Sequence, residues 1–553
     1  MIMLHRLFEG RRARWLAAIL AAISASARAD DRVSVVFETT QTTVLGDSIY
    51  VLGDLPELGG NDLRRAVKLQ PAAYPIWRAT ISLPAGRDYA YRFYRRADAP
   101  AQQASTTNGT ALGNVINATT PAPAEGFAPP SKTVFFDSSF TSATLHWRVA
   151  GAGGAFTARP MERHAAGSAA GRTRFFTWGF GAPRGAIEFH FTRADGTGRE
   201  PGAGEFTSSL DALLVQGGQI YTYIPAAAPG AARRDYNPAS PPAIQSTNLG
   251  ESRRYRVFLP RGYDAHATRR YPVLYMHDGQ NVFEVGPFGS WNGAPTFTSL
   301  QQQGRAREVI VVGVDNGPNR LNDYAAPDAG GWADRYARFL RDELKPLIDA
   351  QYRTLPGAAT TGTMGSSMGG QVSLYLAWDF TSTFTRAGAM SGAFQVFNSG
   401  FYNRVQSQPV PAIRVWLDSG DSGPSSDNYW PIYNLRDNLL NPARAGGAGN
   451  SMSLAGNLMH RVGLGQQHNE AAWAARLPEA VTFLYPADED QHDLFAVFNP
   501  VFDVNADGTV NLDDLHALGE SPRDITLDGN ADEADVRALE SHLRRDELDS
   551  AAR

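Results

Sequence analysis

Two adjacent serines, Ser366 and Ser367, stand between closely spaced glycines in TTGTMGSSMGG (360–370). Gly365–Ser366–Ser367–Met368–Gly369 fits the frame G-x-S-x-G with Ser367 at its centre. Placed between a strand and a helix, such a frame holds one serine hydroxyl in a tight, strained turn at the edge of a sheet. RTLPGAATTGTM can supply the strand and GGQVSLYLAW the helix. Ser366 falls one place too early and is expected to face the strand end. By itself the frame also fits a glycine-rich loop without chemistry, so its partners decide.

A serine hydroxyl is a poor nucleophile without a base, and the base needs an orienting carboxylate. With the order Ser, acid, His, the acid is sought after Ser367. AIRVWLDSGDSG (412–423) runs from a buried strand into a turn carrying Asp418 and Asp421. Asp421, deeper in the turn, is preferred. Asp418 competes, although the strand end suits a structural cap. Of the histidines that follow, His468 sits in GLGQQHNEAAW, where a loop delivers it onto a helix start. His460 falls within a strand-like run and His492 in an acidic tail. His468 is therefore the expected base.

These residues need a sheet edge to gather them. From about residue 250, strand-like runs (YRVFLP, YPVLYMHD, VIVVGVDN) alternate with helix-like ones, of which WADRYARFLRDELKPLIDAQY is amphipathic at helical spacing. This alternation predicts an α/β domain over 246–488 with a largely parallel sheet. Upstream, short alternating runs broken by Gly, Pro and Asp predict one β-sandwich over 30–122 and a second over 133–225. Residues 226–245 read as a linker.

The chain has 553 residues, with 43% hydrophobic and 10% aromatic residues, enough for several cores. A net charge of −5 without a basic stripe excludes a nucleic-acid partner. A basic stretch, an apolar run (Trp15 to Ile23) and Ala27–Arg28–Ala29 predict a signal peptide over 1–29 with cleavage before Asp30. The expected location is secreted or periplasmic, with no membrane partner after cleavage. With no cysteine, stability must come from domain size, packing or bound metal.

The tail (498–546) supplies a metal frame. In DVNADGTVNLDD, Asp503, Asn505, Asp507, Thr509, Asn511 and Asp514 take the oxygen-ligand positions of a calcium loop, with Gly508 at the sharp turn. DITLDGNADEAD repeats the frame with Asp524, Thr526, Asp528, Asn530, Asp532 and Asp535. Each frame leads into a short helical run, which predicts a small α-helical calcium-loop domain. Calcium is the one expected cofactor, and its role is structural. Catalysis is expected to need none.

RRYPVLYMHDGQNVF, FLRDELKPLIDAQYRT, TGTMGSSMGGQVSLYLAW, AMSGAF and HNEAAWAARLPEAVTFLYP together resemble the putative-esterase family of α/β-hydrolases. That family includes feruloyl and acetyl xylan esterases, enterochelin-type esterases and mycolyltransferases. The resemblance implies Ser367 as nucleophile and His468 as general base. It supports Asp421 without excluding Asp418. It implies an oxyanion hole from the backbone N–H groups of Met368 and Gln280, and architectural roles for His277 and Asp278. Residues 32–122, with GDLPELG, YPIW and LPAG…YAYRF, resemble the starch-binding module of amylases. There Asn61 stands where that family carries a Trp, and Trp77 is expected in the core, so glucan binding and a spacer role are both open. The tail is similar to dockerin repeats. Its loops start closer together than a full repeat, and Leu512–Asp513 and Glu533–Ala534 are not the small hydroxyl residues expected to meet a cohesin. Calcium-stabilised folding is thus implied more firmly than a cohesin partner.

The expected activity is a secreted serine esterase acting on acyl groups of polysaccharide. A siderophore esterase or acyltransferase is the alternative enzyme. A non-catalytic glucan-binding scaffold is the alternative of another class.

Overall fold

The computed structural model describes residues 32–490 except 44–46, 61–64, 74, 85–87, 98–109, 120–131, 164–171, 178–184, 227–229, 287, 397–399 and 442–450, together with 504, 512–522, 536 and 539. The signal-peptide segment 1–29, Asn61 and His492 lie outside the described residues.

The first module packs two antiparallel sheets. One has the order β1 (Arg32–Thr40), β5 (Ile76–Pro84), β4 (Gln70–Ala73). The other has the order β3 (Val67–Lys68), β2 (Asp47–Gly53), β6 (Asp88–Ala97), β7 (Thr110–Thr119). Alternation places Phe37, Ile49, Val51, Trp77, Ile81 and Phe93 between the sheets. Trp77 is buried and its Nε1 donates to the Gln41 carbonyl at 2.9 Å, so it is a core residue and not an exposed sugar platform.

The second module is another sandwich. One sheet runs β11 (Glu162–Arg163), β12 (Thr173–Thr177), β8 (Thr133–Ser138), β16 (Ala212–Gln216), β17 (Gln219–Tyr221). The other runs β10 (Thr157–Pro160), β9 (Thr144–Val149), β13 (Ile187–Thr192), β14 (Arg199–Glu200), with β15 (Phe206–Ser208) also on β13. β8 and β16 are buried on both faces, which is why TVFFDS and ALLVQ barely alternate. Phe136, Leu213 and Val215 face the inner core, where Phe136 stacks on Phe191 at 3.9 Å. Phe135 and Leu214 face outward and are covered by Val504, Leu518 and Leu539 of the tail.

The third domain holds a nine-stranded sheet in the order β18 (Arg233–Arg234), β20 (Ser252–Leu259), β22 (Ile310–Val314), β21 (Val273–His277), β23 (Thr361–Ser366), β24 (Arg386–Met390), β25 (Arg414–Gly420), β26 (Leu458–Gly463), with β19 (Ala243–Gln245) also on β20. From β22 to β26 every pair is parallel. The central strands are buried along their whole length, as a sheet covered on both faces requires. On one face lie α3 (Ala333–Arg338) and α4 (Lys345–Gln351), joined through a π-helical stretch, with α5 (Met368–Asp379), α6 (Gly400–Ser407) and α7 (Tyr429–Leu440). On the other lie α1 (Gly293–Gln302) and α8 (Glu470–Leu484). The segment 226–245, a linker by composition, lends β18 and β19 to this sheet.

Both sandwiches are docked on this domain. Tyr223 donates to Glu308 at 2.8 Å, Arg261 Nε donates to the same carboxylate, and the Arg261 guanidinium lies 3.9 Å over Tyr221. The first module lays Tyr50, Leu52, Ala66 and Tyr94 against Tyr429, Trp430, Tyr433 and Val462. Arg96 is buried at that seam, 4.1 Å over the Tyr50 ring, and donates to the Tyr433 hydroxyl at 2.8 Å. Arg96→Ala would remove that bond and the cation–π contact, leaving the Tyr433 hydroxyl its longer 3.4 Å bond to the Ala66 carbonyl. We expect a loss of about 1–3 kcal/mol in urea unfolding. Arg78→Ala, which breaks the exposed pair with Glu38, should cost at most about 1 kcal/mol.

Candidate active site

β23 ends at Ser366, which is buried, and the chain then reverses into α5 through Ser367 at φ 57°, ψ −122°. A side chain there is strained by roughly 1–3 kcal/mol. The flanking glycines are needed because strand and helix nearly touch. A Cβ on Gly365 would lie 2.8 Å from the Gly369 backbone, and one on Gly370 would lie 3.0 Å from Gly392. The Ser367 N–H donates to the Met390 carbonyl at 2.9 Å, and its own carbonyl accepts from Ala393. The turn is thus sewn to the end of β24, with Ser367 half-buried.

His468 lies in the loop between β26 and α8. Asn469 caps α8 by accepting from the Ala472 N–H at 3.0 Å, which fixes the helix start. The Trp473 ring meets the imidazole edge-on at 5.1 Å. Nδ1 of His468 lies 2.6 Å from Oδ1 of Asp427.

Asp427, which the sequence reading did not weigh, is the carboxylate that meets His468. Asp421 faces away, accepting from the Gly465 N–H at 2.7 Å and from Ser422, and so braces the turn before His468. The reason is backbone geometry. β25 runs on to Gly420, which sends Asp421 outward. Six residues later Ser426, Asp427 and Asn428 all take positive φ (46°, 49°, 60°) and turn the chain back beneath the imidazole. Asp418 is buried and structural. It accepts from Trp416 Nε1 at 2.7 Å and the Ser391 N–H at 3.1 Å, and pairs with Arg476 at 3.0 Å. Burial pushes its carboxyl upward, opposed by Arg476. The only sequence cue to Asp427 is an acid immediately before an amphipathic helix, in PSSDNYW.

The second oxygen of Asp427 is held on every side. Ser391 Oγ donates to it at 2.7 Å, the Gly420 N–H donates, and Arg476 Nη2 lies at 3.4 Å. Ser391 in turn accepts from Trp473 Nε1 and Arg476 Nη2. An acceptor so loaded leaves Nδ1 of His468 as the donor and Nε2 free to accept a proton.

The turn after β21 faces the serine elbow. Asp278 sits at φ 58°, and Gly279–Asn281 follows as a short 3-10 turn. Gly279 is required because a Cβ would lie 2.4 Å from the Gly313 backbone. Arg320 grips both Asp278 oxygens (2.6 and 2.7 Å), and Asn316 Nδ2 adds a third bond at 2.6 Å. The Asn316 N–H donates to Gln280 Oε1 at 3.2 Å. A Cβ on Gly369 would sit 3.4 Å from Asp278 Oδ2, so this turn abuts the serine elbow. Met368 opens α5, where an N–H has no intrahelical acceptor. The Met368 and Gln280 backbones thus lie on facing turns.

His277 is fully buried against the Tyr336 hydroxyl (2.9 Å), and burial depresses it to about 3. It is architectural. His460 is buried in β26, and burial and Arg436 push it well down. Glu470 accepts from Asn281 Nδ2 at 3.3 Å, and burial, then nearby Asp278, push its carboxyl up.

Of the calcium frames, Asp514 alone is described. It is fully buried in the first turn of α9 (Leu512–Glu520). Asp503, Asn505, Asp507, Thr509, Asn511, Asp524, Thr526, Asp528, Asn530, Asp532 and Asp535 lie outside the described residues. Among the described residues no helix is long and apolar enough to cross a membrane.

Asp427→Asn should lower kcat by about a thousandfold or more, as expected when the base loses its tautomer. Asp421→Asn should lower it less than tenfold. Steady-state hydrolysis of an aryl ester separates the two.

Two segments of the chain match known protein families. Residues 246–484 match the family model described as Putative esterase, and residues 32–109 match that described as Starch binding domain. Uncharacterized protein YbbA of Bacillus subtilis is 25% identical over 185 residues, 32% of this chain and 70% of its own length. An alpha-amylase of Streptomyces violaceus is 47% identical over 60 residues, 11% of this chain and only 10% of the amylase. A ferulic acid esterase of solved structure is 22% identical, with a TM-score of 0.36, over 46% of this chain and 99% of its own. The α/β domain is therefore similar to putative esterases, which supports carboxylic ester hydrolysis, and the first sandwich is similar to starch-binding domains.

Proposed function

We propose that this chain is a serine esterase working through an acyl-enzyme. The observation that carries the reading is the 2.6 Å contact of His468 Nδ1 with buried Asp427, on the same sheet edge as a serine held at positive φ. In the first step Nε2 of His468 takes the Ser367 proton as Oγ adds to the ester carbonyl. The Met368 and Gln280 N–H groups receive the oxyanion, a contribution of about 3 kcal/mol per donor. His468 then protonates the departing alcohol, leaving the acyl group on Ser367. Water enters, His468 takes its proton as the water oxygen adds to the acyl carbonyl, and the Oγ–acyl bond then breaks as His468 returns the proton to Ser367 Oγ, releasing the acid. Asp427 holds the imidazole and balances its charge in both halves.

Acyl groups on polysaccharide are the substrates to test first, because a module similar to starch-binding domains is bolted to the same α/β domain. Export to the periplasm or the exterior fits such a substrate and the N-terminal sequence. A fluorophosphonate probe should label the wild-type chain, and Ser367→Ala should abolish both labelling and ester turnover. An unlabelled wild type would favour the non-catalytic scaffold.

The tail is proposed to fold around calcium. Its donor set is all oxygen, as calcium requires, and Asp514, the last ligand of the first frame, is a carboxylate with no solvent exposure. A chelator should lower the melting temperature of the tail, read by calorimetry, and added calcium should restore it. Unchanged melting would overturn the metal assignment.

A further inference from the structure

Large apolar side chains are rarely left in water without use when they gather in one place. Among the described residues of 246–484, those standing exposed are Val285, Phe288, Leu321 and Leu464, at 84%, 79%, 55% and 52%. Three belong to loops, and Leu321 to the short helix Arg320–Tyr324, all in segments tied to the proposed catalytic groups. Val285 and Phe288 follow directly from the Gly279–Asn281 turn. Leu321 adjoins Arg320, the partner of Asp278. Leu464 adjoins Gly465, whose N–H is held by Asp421, four residues before His468.

The loop that carries Val285 and Phe288 is built to stay in place. Gly286 and Gly289 exchange backbone hydrogen bonds of 2.8 and 3.2 Å, closing a tight tip. Gly289 is at φ 121°, and a Cβ there would lie 3.1 Å from Cβ of Glu470, so the tip rests against the first residue of α8. Glu470 is two residues from His468. The loop therefore runs from the proposed oxyanion turn to the start of α8, two residues past the base, and displays two exposed apolar side chains along that path.

Building on the esterase reading, we propose that this rim receives a bulky apolar acyl group, an aryl or a medium-length alkyl chain, with Phe288 and Val285 as its specificity-determining contacts. The acyl side is the one that leans on this loop, because the loop grows out of the turn that would hold the carbonyl oxygen. An acetyl group offers one methyl and so has the least apolar surface to gain from such a contact. A phenyl ring offers a flat face to an aryl acid and an apolar surface to a chain.

The test keeps the leaving group constant. The full chain is assayed with p-nitrophenyl acetate, butyrate, octanoate and cinnamate. For the wild type, kcat/KM should rise about tenfold or more from acetate to the better of octanoate and cinnamate. That winner also tells alkyl from aryl. Val285→Ser with Phe288→Ser, both surface changes, should remove about tenfold on the bulky ester and stay within twofold on acetate. Wild-type preference for acetate, or a bulky-to-acetate ratio unchanged in the double variant, would overturn this proposal alone. Absence of turnover on every ester would overturn the esterase reading beneath it.

Discussion

The burial of one carboxylate organises the catalytic edge of this protein. Asp427 has no solvent exposure, and an ion in that position is tolerable only if each oxygen is met by donors. The donors come from four separate places. His468 comes from the loop before α8, Ser391 from the end of β24, Gly420 from the end of β25, and Arg476 from the second turn of α8. Satisfying Asp427 therefore fixes the relative positions of two strand ends and one helix. Arg476 also binds Asp418, and Ser391 also binds Trp473. The second acid thus serves as an anchor for the arginine that helps hold the first.

Legibility in the sequence followed how local each constraint was. The serine elbow could be read because steric crowding confines its requirements to five residues, and the 2.8 Å approach of a Gly365 Cβ to the Gly369 backbone is the reason position 365 needs glycine. His468 could be placed because the helix cap that positions it, Asn469, is its neighbour in the chain. Asp427 could not be. Its role depends on three successive positive-φ residues and on the distance from β25 back to the imidazole, and neither leaves a pattern in composition or period. Choosing Asp421 assumed that the acid lies in the first turn after the strand, whereas that turn serves to hold Gly465. β18 and β19 were missed for a related reason, since strands of two and three residues give no alternation to read.

The sandwiches were legible in kind but not in use. Alternating runs foretold both, yet TVFFDS and ALLVQ are apolar on both faces because the tail covers the outer one. In the same way the first module spends part of a sheet face on α7. α7 begins one residue after Asn428, so the helix clamped by that module is the one that follows the acid loop. Tyr433 and Arg96 tie the two across a separation of 337 residues. A module similar to starch-binding domains is thus also a buttress for the helix behind Asp427, and its retention does not require that it bind sugar.

Three side chains of the site, Ser367, Ser391 and Asp427, stand at positive φ. Each such residue costs on the order of 1–3 kcal/mol, and the conformation persists only where the surroundings over-determine it. Here the surroundings do so in a circle. The Ser367 N–H is held by Met390, the residue before Ser391. Ser391 is held by Asp418 and gives its hydroxyl proton to Asp427, and Asn428 donates back to the Ser391 carbonyl at 2.9 Å. Relaxing any one of the three turns would break a hydrogen bond needed by the next. The strain is therefore shared among the ends of β23, β24 and β25, and the ends that carry these turns are buried between the two helical layers. A sheet covered on both faces is rigid enough to keep such turns from relaxing. This is a physical reason for Ser367, Ser391 and Asp427 to follow the ends of three adjacent parallel strands.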